Sequence, residues 1–89
     1  MNKLINFSEH AEERMDFRNI DKEIVIQIIY HPDQKIPDCD NNNREICQSL
    51  IKDNNGKFKL IRIVIEETKN EILVISVYLT SKIKKYWRE

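Results

Sequence analysis

Lys57–Thr80 reads KFKLIRIVIEETKNEILVISVYLT. Two runs, Lys57–Glu66 and Glu71–Thr80, are dense in β-branched and aliphatic residues and flank the polar turn Thr68-Lys69-Asn70. Such residues fit a pleated surface better than a helix. A turn this short makes the two runs antiparallel neighbours. Alternation of period two sends Ile61, Ile63 and Ile65 to one face, with Leu73, Ile75, Val77 and Leu79. That face is dry and needs a covering layer. The opposite face carries Phe58, Leu60, Arg62 and Val64, then Ile72, Val74, Ser76, Tyr78 and Thr80. A partly apolar surface holding a guanidinium, a phenol and hydroxyls is a candidate binding face.

Upstream, Asp53-Asn54-Asn55-Gly56 reads as a hairpin turn, with the single glycine of the chain where a positive φ is cheap. It leads back to a strand over Glu45–Ile51. Lys35–Asp38 reads as a short edge strand, because Pro37 cannot donate to a ladder. Before Gln34 the spacing is helical. Ser8 is an N-cap, with Glu9, Glu12 and Glu13 where the helix dipole favours acids. Phe7, Ala11 and Met15 form its apolar side, after the apolar lead Leu4-Ile5-Asn6-Phe7, and the helix ends near Arg18-Asn19. Asp21 caps a second helix with an Ile24, Val25, Ile28, Ile29 stripe, and His31-Pro32 stops it. The fold class is α+β: two N-terminal helices packed on an antiparallel three- to four-stranded β-meander, one domain over residues 1–89.

The 89 residues carry 15 Lys+Arg against 15 Asp+Glu, so no global field draws the chain to a polyanion or a membrane, and any anion site is a local patch. No apolar run approaches the ~18 residues that a membrane helix needs, and no leader pattern follows Met1, so the cytoplasm is the expected location. Cys39 and Cys47 read as reduced thiols. With His10 and His31 as the only other soft ligands, no metal spacing is present, and one glycine excludes a glycine-rich phosphate loop. Neither metal nor cofactor is expected.

The polar residues that remain fall into two groups. His10 and Arg14 stand i, i+4 on one helix stripe within SEHAEERM, Ser8–Met15. Arg62 sits mid-strand between Leu60 and Val64 and needs a partner, since an unpaired buried charge is expensive. A carboxylate such as Glu45 is the structural option and a bound phosphate the functional one. After Thr80, Ser81–Arg88 packs Lys82, Lys84, Lys85 and Arg88 around Tyr86 and Trp87. Cations for phosphates and rings for stacking suit single-stranded nucleic acid. Metal-free RNA cleavage needs a base for the 2′-hydroxyl, an acid for the leaving 5′-oxygen and cations for the phosphorane, and this mixture supplies them.

Three stretches carry a resemblance: SEHAEERM, then Arg18–Ile24 with His31-Pro32-Asp33-Gln34, then Val77–Trp87 (VYLTSKIKKYW). Together they resemble small bacterial proteins of domain-of-unknown-function family 4258 across nearly the whole chain. The resemblance implies kinship with BrnT and RelE-like toxins, metal-independent ribonucleases of RelE/barnase-like fold that often act as the toxin of a type II toxin–antitoxin pair. Of the recurring polar positions the chain keeps His10, Arg14, Arg62, Thr80 and Lys82, and Asn19 stands where the pattern has a glycine. On this reading the chain is an mRNA-cleaving endoribonuclease. His10 is general base or acid, Arg14 and Arg62 hold the scissile phosphate, Tyr78 or Thr80 orients it, and Lys82, Lys85 and Tyr86 grip flanking RNA. The partners are mRNA, free or on the ribosome, and a cognate antitoxin protein; self-association stays open. The alternatives are a non-catalytic RNA- or protein-binding module and a protein that pairs through a free strand edge.

Overall fold

The structure, a computed structural model, describes residues 3–88. The elements in order are β1 (Leu4–Phe7), α1 (Glu9–Arg18), α2 (Lys22–Tyr30), β2 (Gln34–Pro37), β3 (Arg44–Lys52), β4 (Phe58–Glu67), β5 (Glu71–Thr80) and α3 (Ile83–Tyr86). The expected meander is present as β2–β5. The expectation of a purely antiparallel three- to four-stranded sheet is corrected by β1, which runs parallel to β5 and makes a five-stranded mixed sheet of order β1-β5-β4-β3-β2. Four residues are too few for a periodicity to declare itself. The pairing Leu4↔Glu71 to Phe7↔Val74 satisfies their backbone and lays Ile5 and Phe7 against the core.

One irregularity rearranges the faces of β5. Val64 pairs with Ser76, but Ile65 pairs with Val74, so Ile75 is an extra residue without a partner. A bulge reverses the alternation beyond it. Above it Val77 and Leu79 face the helices as expected. Below it Ile72 and Val74 are buried on the helix side, and Leu73 and Ile75, expected there, are only half-buried.

The helix layer closes over that face. Ala11 and Met15 of α1 and Val25, Ile28 and Ile29 of α2 pack with Cys47, Ile61, Ile63, Ile65, Ile72, Val74 and Val77. Each larger aliphatic side chain buried this way contributes about 1.5–3 kcal/mol. Ser8 fixes where α1 starts. Its Oγ accepts from the Ala11 N–H at 3.0 Å and donates to the carbonyl of the bulged Ile75 at 2.8 Å. Asn19 ends the helix in the left-handed region (φ 54, ψ 46), and the Ile20 N–H returns to Met15 O at 2.8 Å. Asp21 occupies the N-cap position of α2 but makes no side-chain capping bond there. At the other edge of the sheet, Asp33 closes β3 beyond the end of β2, accepting the Leu50 N–H at 2.9 Å. Among the described residues no helix is long and apolar enough to cross a membrane.

Candidate functional site

The register across β2–β5 builds one transverse rank of polar residues on the face away from the helices. Gln34 lies opposite Gln48, Gln48 opposite Arg62, and Arg62 opposite Tyr78. Opposed residues share a face, so four side chains from four strands meet in a row. The Arg62 Nε–H donates to Gln48 Oε1 at 2.9 Å, and Gln48 Nε2 donates to Gln34 Oε1 at 2.7 Å. Arg62 Nη1 donates to the Tyr78 phenol oxygen. Arg62 is 6% exposed and Gln48 fully buried.

No carboxylate answers this guanidinium among the described residues. Glu45, the structural candidate, reaches Lys35 at 3.6 Å instead. In place of an anion, two aromatic faces flank Arg62: its Cζ lies 4.1 Å from the Tyr86 ring centroid and 5.6 Å from that of Tyr78. Such contacts contribute about 2 kcal/mol when desolvated, less than the several kcal/mol that removing an ion from water costs. A formal positive charge therefore sits under the sheet surface, and its partners among the described residues are all neutral.

The chain after β5 covers the rank. Thr80, on the same face as Tyr78, turns it by accepting the Lys82 N–H at 3.1 Å. The single turn of α3 then lies across β4 and β3. Gln48 Nε2 also donates to Tyr86 O at 3.0 Å, and Gln34 binds Arg88 twice, accepting its N–H at 3.0 Å and donating to its carbonyl. Lys82, Lys84, Lys85 and Arg88 are exposed, and Lys85 Nζ lies 5.3 Å from the Tyr86 ring.

His10 and Arg14 belong to the other layer. Both are exposed on α1, one position before the buried Ala11 and Met15. On the opposite flank Glu12 meets Lys22 of α2 at 3.2 Å, so the His10–Arg14 stripe faces away from α2. Since β1 pairs only with Glu71–Val74, the edge of β5 from Ser76 to Thr80 carries no strand among the described residues. The stripe flanks that open edge. The structure thus gathers Arg62, Tyr78, Thr80, Lys82, Lys85 and Tyr86 on one face and leaves His10 and Arg14 on the other side of β5.

Gln34 and Gln48 are the members that the sequence analysis missed. A four-residue turn at Asp53–Gly56 pairs Lys52 with Lys57 and sets Gln48 opposite Ile61, on the helix side; the loop includes Lys57, pairs Lys52 with Phe58 and so sets Gln48 opposite Arg62.

A family model described as "Domain of unknown function (DUF4258)" matches residues 7–79. That span contains His10, Arg14, Arg62 and Tyr78 and stops before the covering segment. No curated protein and no solved structure matches the chain.

Proposed function

The chain belongs to the DUF4258 family, and from that premise we propose that it is a metal-independent endoribonuclease, the mRNA-cleaving toxin of a type II toxin–antitoxin pair. The observation that carries this reading is the buried guanidinium of Arg62, held by Gln48 and Tyr78 with no acid among the described residues, beside exposed Lys82 and Lys85. An anion is the partner this arrangement lacks, and the adjoining cations suit a chain of phosphates.

In this mechanism the RNA lies along the open edge of β5. Arg62 holds the scissile phosphate and stabilises the charge of the phosphorane as the 2′-oxygen attacks phosphorus and the 5′-oxygen leaves. The Tyr78 oxygen accepts from Arg62, which leaves its own proton free to reach a phosphate oxygen. Thr80 lies next along the same face, and Lys82 and Lys85 hold flanking nucleotides. His10 serves as base or acid from the helix side of the edge, with Arg14 one turn on. The protein acts in the cytoplasm, where mRNA is, and a cognate antitoxin masks the basic face.

A second reading is a non-catalytic RNA-binding module of the same fold. It is favoured by one fact: the sheet stands between His10 and Arg62. Labelled RNA incubated with the protein and EDTA separates the two. Cleavage is expected, abolished by Arg62→Ala and reduced by His10→Ala and Tyr78→Phe, in a protein whose expression arrests growth unless the adjacent gene is present. Binding without cleavage by folded wild type selects the module. Cleavage surviving both Arg62→Ala and His10→Ala overturns the assigned site.

A further inference from the structure

The segment Ser81–Arg88 shuts the very face on which that reading places the phosphate. Past the turn bond from the Lys82 N–H to Thr80, every side-chain hydrogen bond that fastens it among the described residues comes from a glutamine: Gln48 to Tyr86 O, Gln34 to the N–H and carbonyl of Arg88. These bonds are neutral, and water replaces them at little net cost. The fastener over Arg62 is a ring, Tyr86, 4.1 Å from the guanidinium, where a nucleobase stacks equally well. None of α3 is fully buried, and it adds nothing to the core cluster beneath the helices. The cations of the segment, Lys82, Lys84, Lys85 and Arg88, all remain in solvent. Among the described residues, the one charge sealed in is Arg62, and no acid pairs with it.

We propose that Ser81–Arg88 is a displaceable cover over a phosphodiester site. Single-stranded nucleic acid lifts Tyr86 off Arg62, its phosphate takes the guanidinium and its base takes the position of the ring. The segment's lysines then close on the strand from outside. The proposal rests on the reading of Arg62 as a phosphate ligand. While the cover is shut, the apparent affinity is lowered by the fraction of molecules that are open. Loosening the cover therefore tightens binding, the reverse of what removal of a binding segment does.

Trp87 is the only tryptophan and lies in the cover, so its fluorescence reports the state of the cover without a label. The probe is an oligodeoxythymidylate, which has no 2′-hydroxyl and cannot be cleaved. Saturating oligonucleotide is expected to raise the acrylamide quenching of Trp87 in the wild type. Gln34→Ala, with folding checked by its melting curve, is expected to bind at least about fivefold more tightly and to show raised quenching before ligand is added. Adding Arg62→Gln to Gln34→Ala is expected to abolish the gain. Unchanged or weaker binding by folded Gln34→Ala, a gain that survives Arg62→Gln, or wild-type quenching that does not move at saturation overturns the cover. So does absence of binding by either protein. If Gln34→Ala does not fold, the wild-type quenching decides. Oligouridylate in parallel separates this from the proposed activity. Cover-dependent binding without cleavage overturns the ribonuclease and keeps the cover; equal cleavage by wild type and Gln34→Ala does the opposite.

Discussion

Ser8→Ala should cost more than a surface serine does, because one hydroxyl serves two elements. Its oxygen accepts the Ala11 N–H at 3.0 Å, and its proton goes to Ile75 O at 2.8 Å. The first bond is an N-cap, whose removal costs about 1 kcal/mol. The second satisfies a carbonyl at the bulge, where β4 offers Ile75 no partner, and losing such a bond costs about another 1 kcal/mol. Together they make about 2 kcal/mol. For a domain of this size the whole stability is on the order of 5–13 kcal/mol, and 2 kcal/mol lowers Tm by about 8–16 °C. Urea titration with an unchanged slope measures it. Ser8→Asp divides the two roles, since a carboxylate caps the helix but cannot donate to a carbonyl. It should recover about half of the loss. A loss below about 0.5 kcal/mol for Ser8→Ala, or full recovery by Ser8→Asp, would refute the idea that this side chain rivets helix to bulge.

Glu67 gives an acid-side prediction: the hydrogen bond from Lys3 at 2.7 Å holds its carboxyl below the usual range against partial burial, with Lys35 adding to it. Folding favours the ionised form, so this contribution is whole above about pH 4.5 and fades as pH falls through the depressed folded value; Glu67→Gln should flatten the decline of Tm on acidification. Burial pushes the Cys47 thiol up to about 11, while Cys39 is exposed. A thiol-specific disulfide reagent near neutral pH should therefore modify Cys39 alone, and Cys47 only after denaturation; rapid reaction of both in the native protein would place Cys47 wrongly. Asn19→Gly relieves a left-handed residue at φ 54 and should leave stability equal or raise it by up to about 1 kcal/mol in a thermal melt.

What could be read in the residues and what could not divide along physical lines. The strands β3, β4 and β5 and both long helices were legible, because each repeats its pattern often enough for period two or period three-to-four to stand out. β1 was not: four residues carry no period, and its reason for being a strand lies in β5, over sixty positions away. The faces of β5 were legible only above Ile75, since a bulge leaves no mark in a run of aliphatic residues of similar size. At the site, Arg62 and Tyr78 on one face followed from alternation. That Arg62 would lie under Tyr86 did not, because a one-turn helix packed by a stacked ring and glutamine bonds has no amphipathic signature. The remoteness of His10 from Arg62 was implicit in the requirement that the helices cover the isoleucine face.

The unpaired residue at Ile75 makes β5 a strand with a phase slip, and phase depends on chain length rather than on side-chain chemistry. Substituting Ile75 by another aliphatic residue leaves the slip in place. Deleting it removes the slip and keeps the faces: Val64 still meets Ser76 and Ile65 still meets Val74, now as consecutive pairs, so Ile72, Val74, Val77 and Leu79 stay toward the helices and Tyr78 and Thr80 stay on the other side. What the extra residue supplies is the carbonyl that receives Ser8, so its deletion removes the tie to α1 and spares the side of the sheet that presents the phenol.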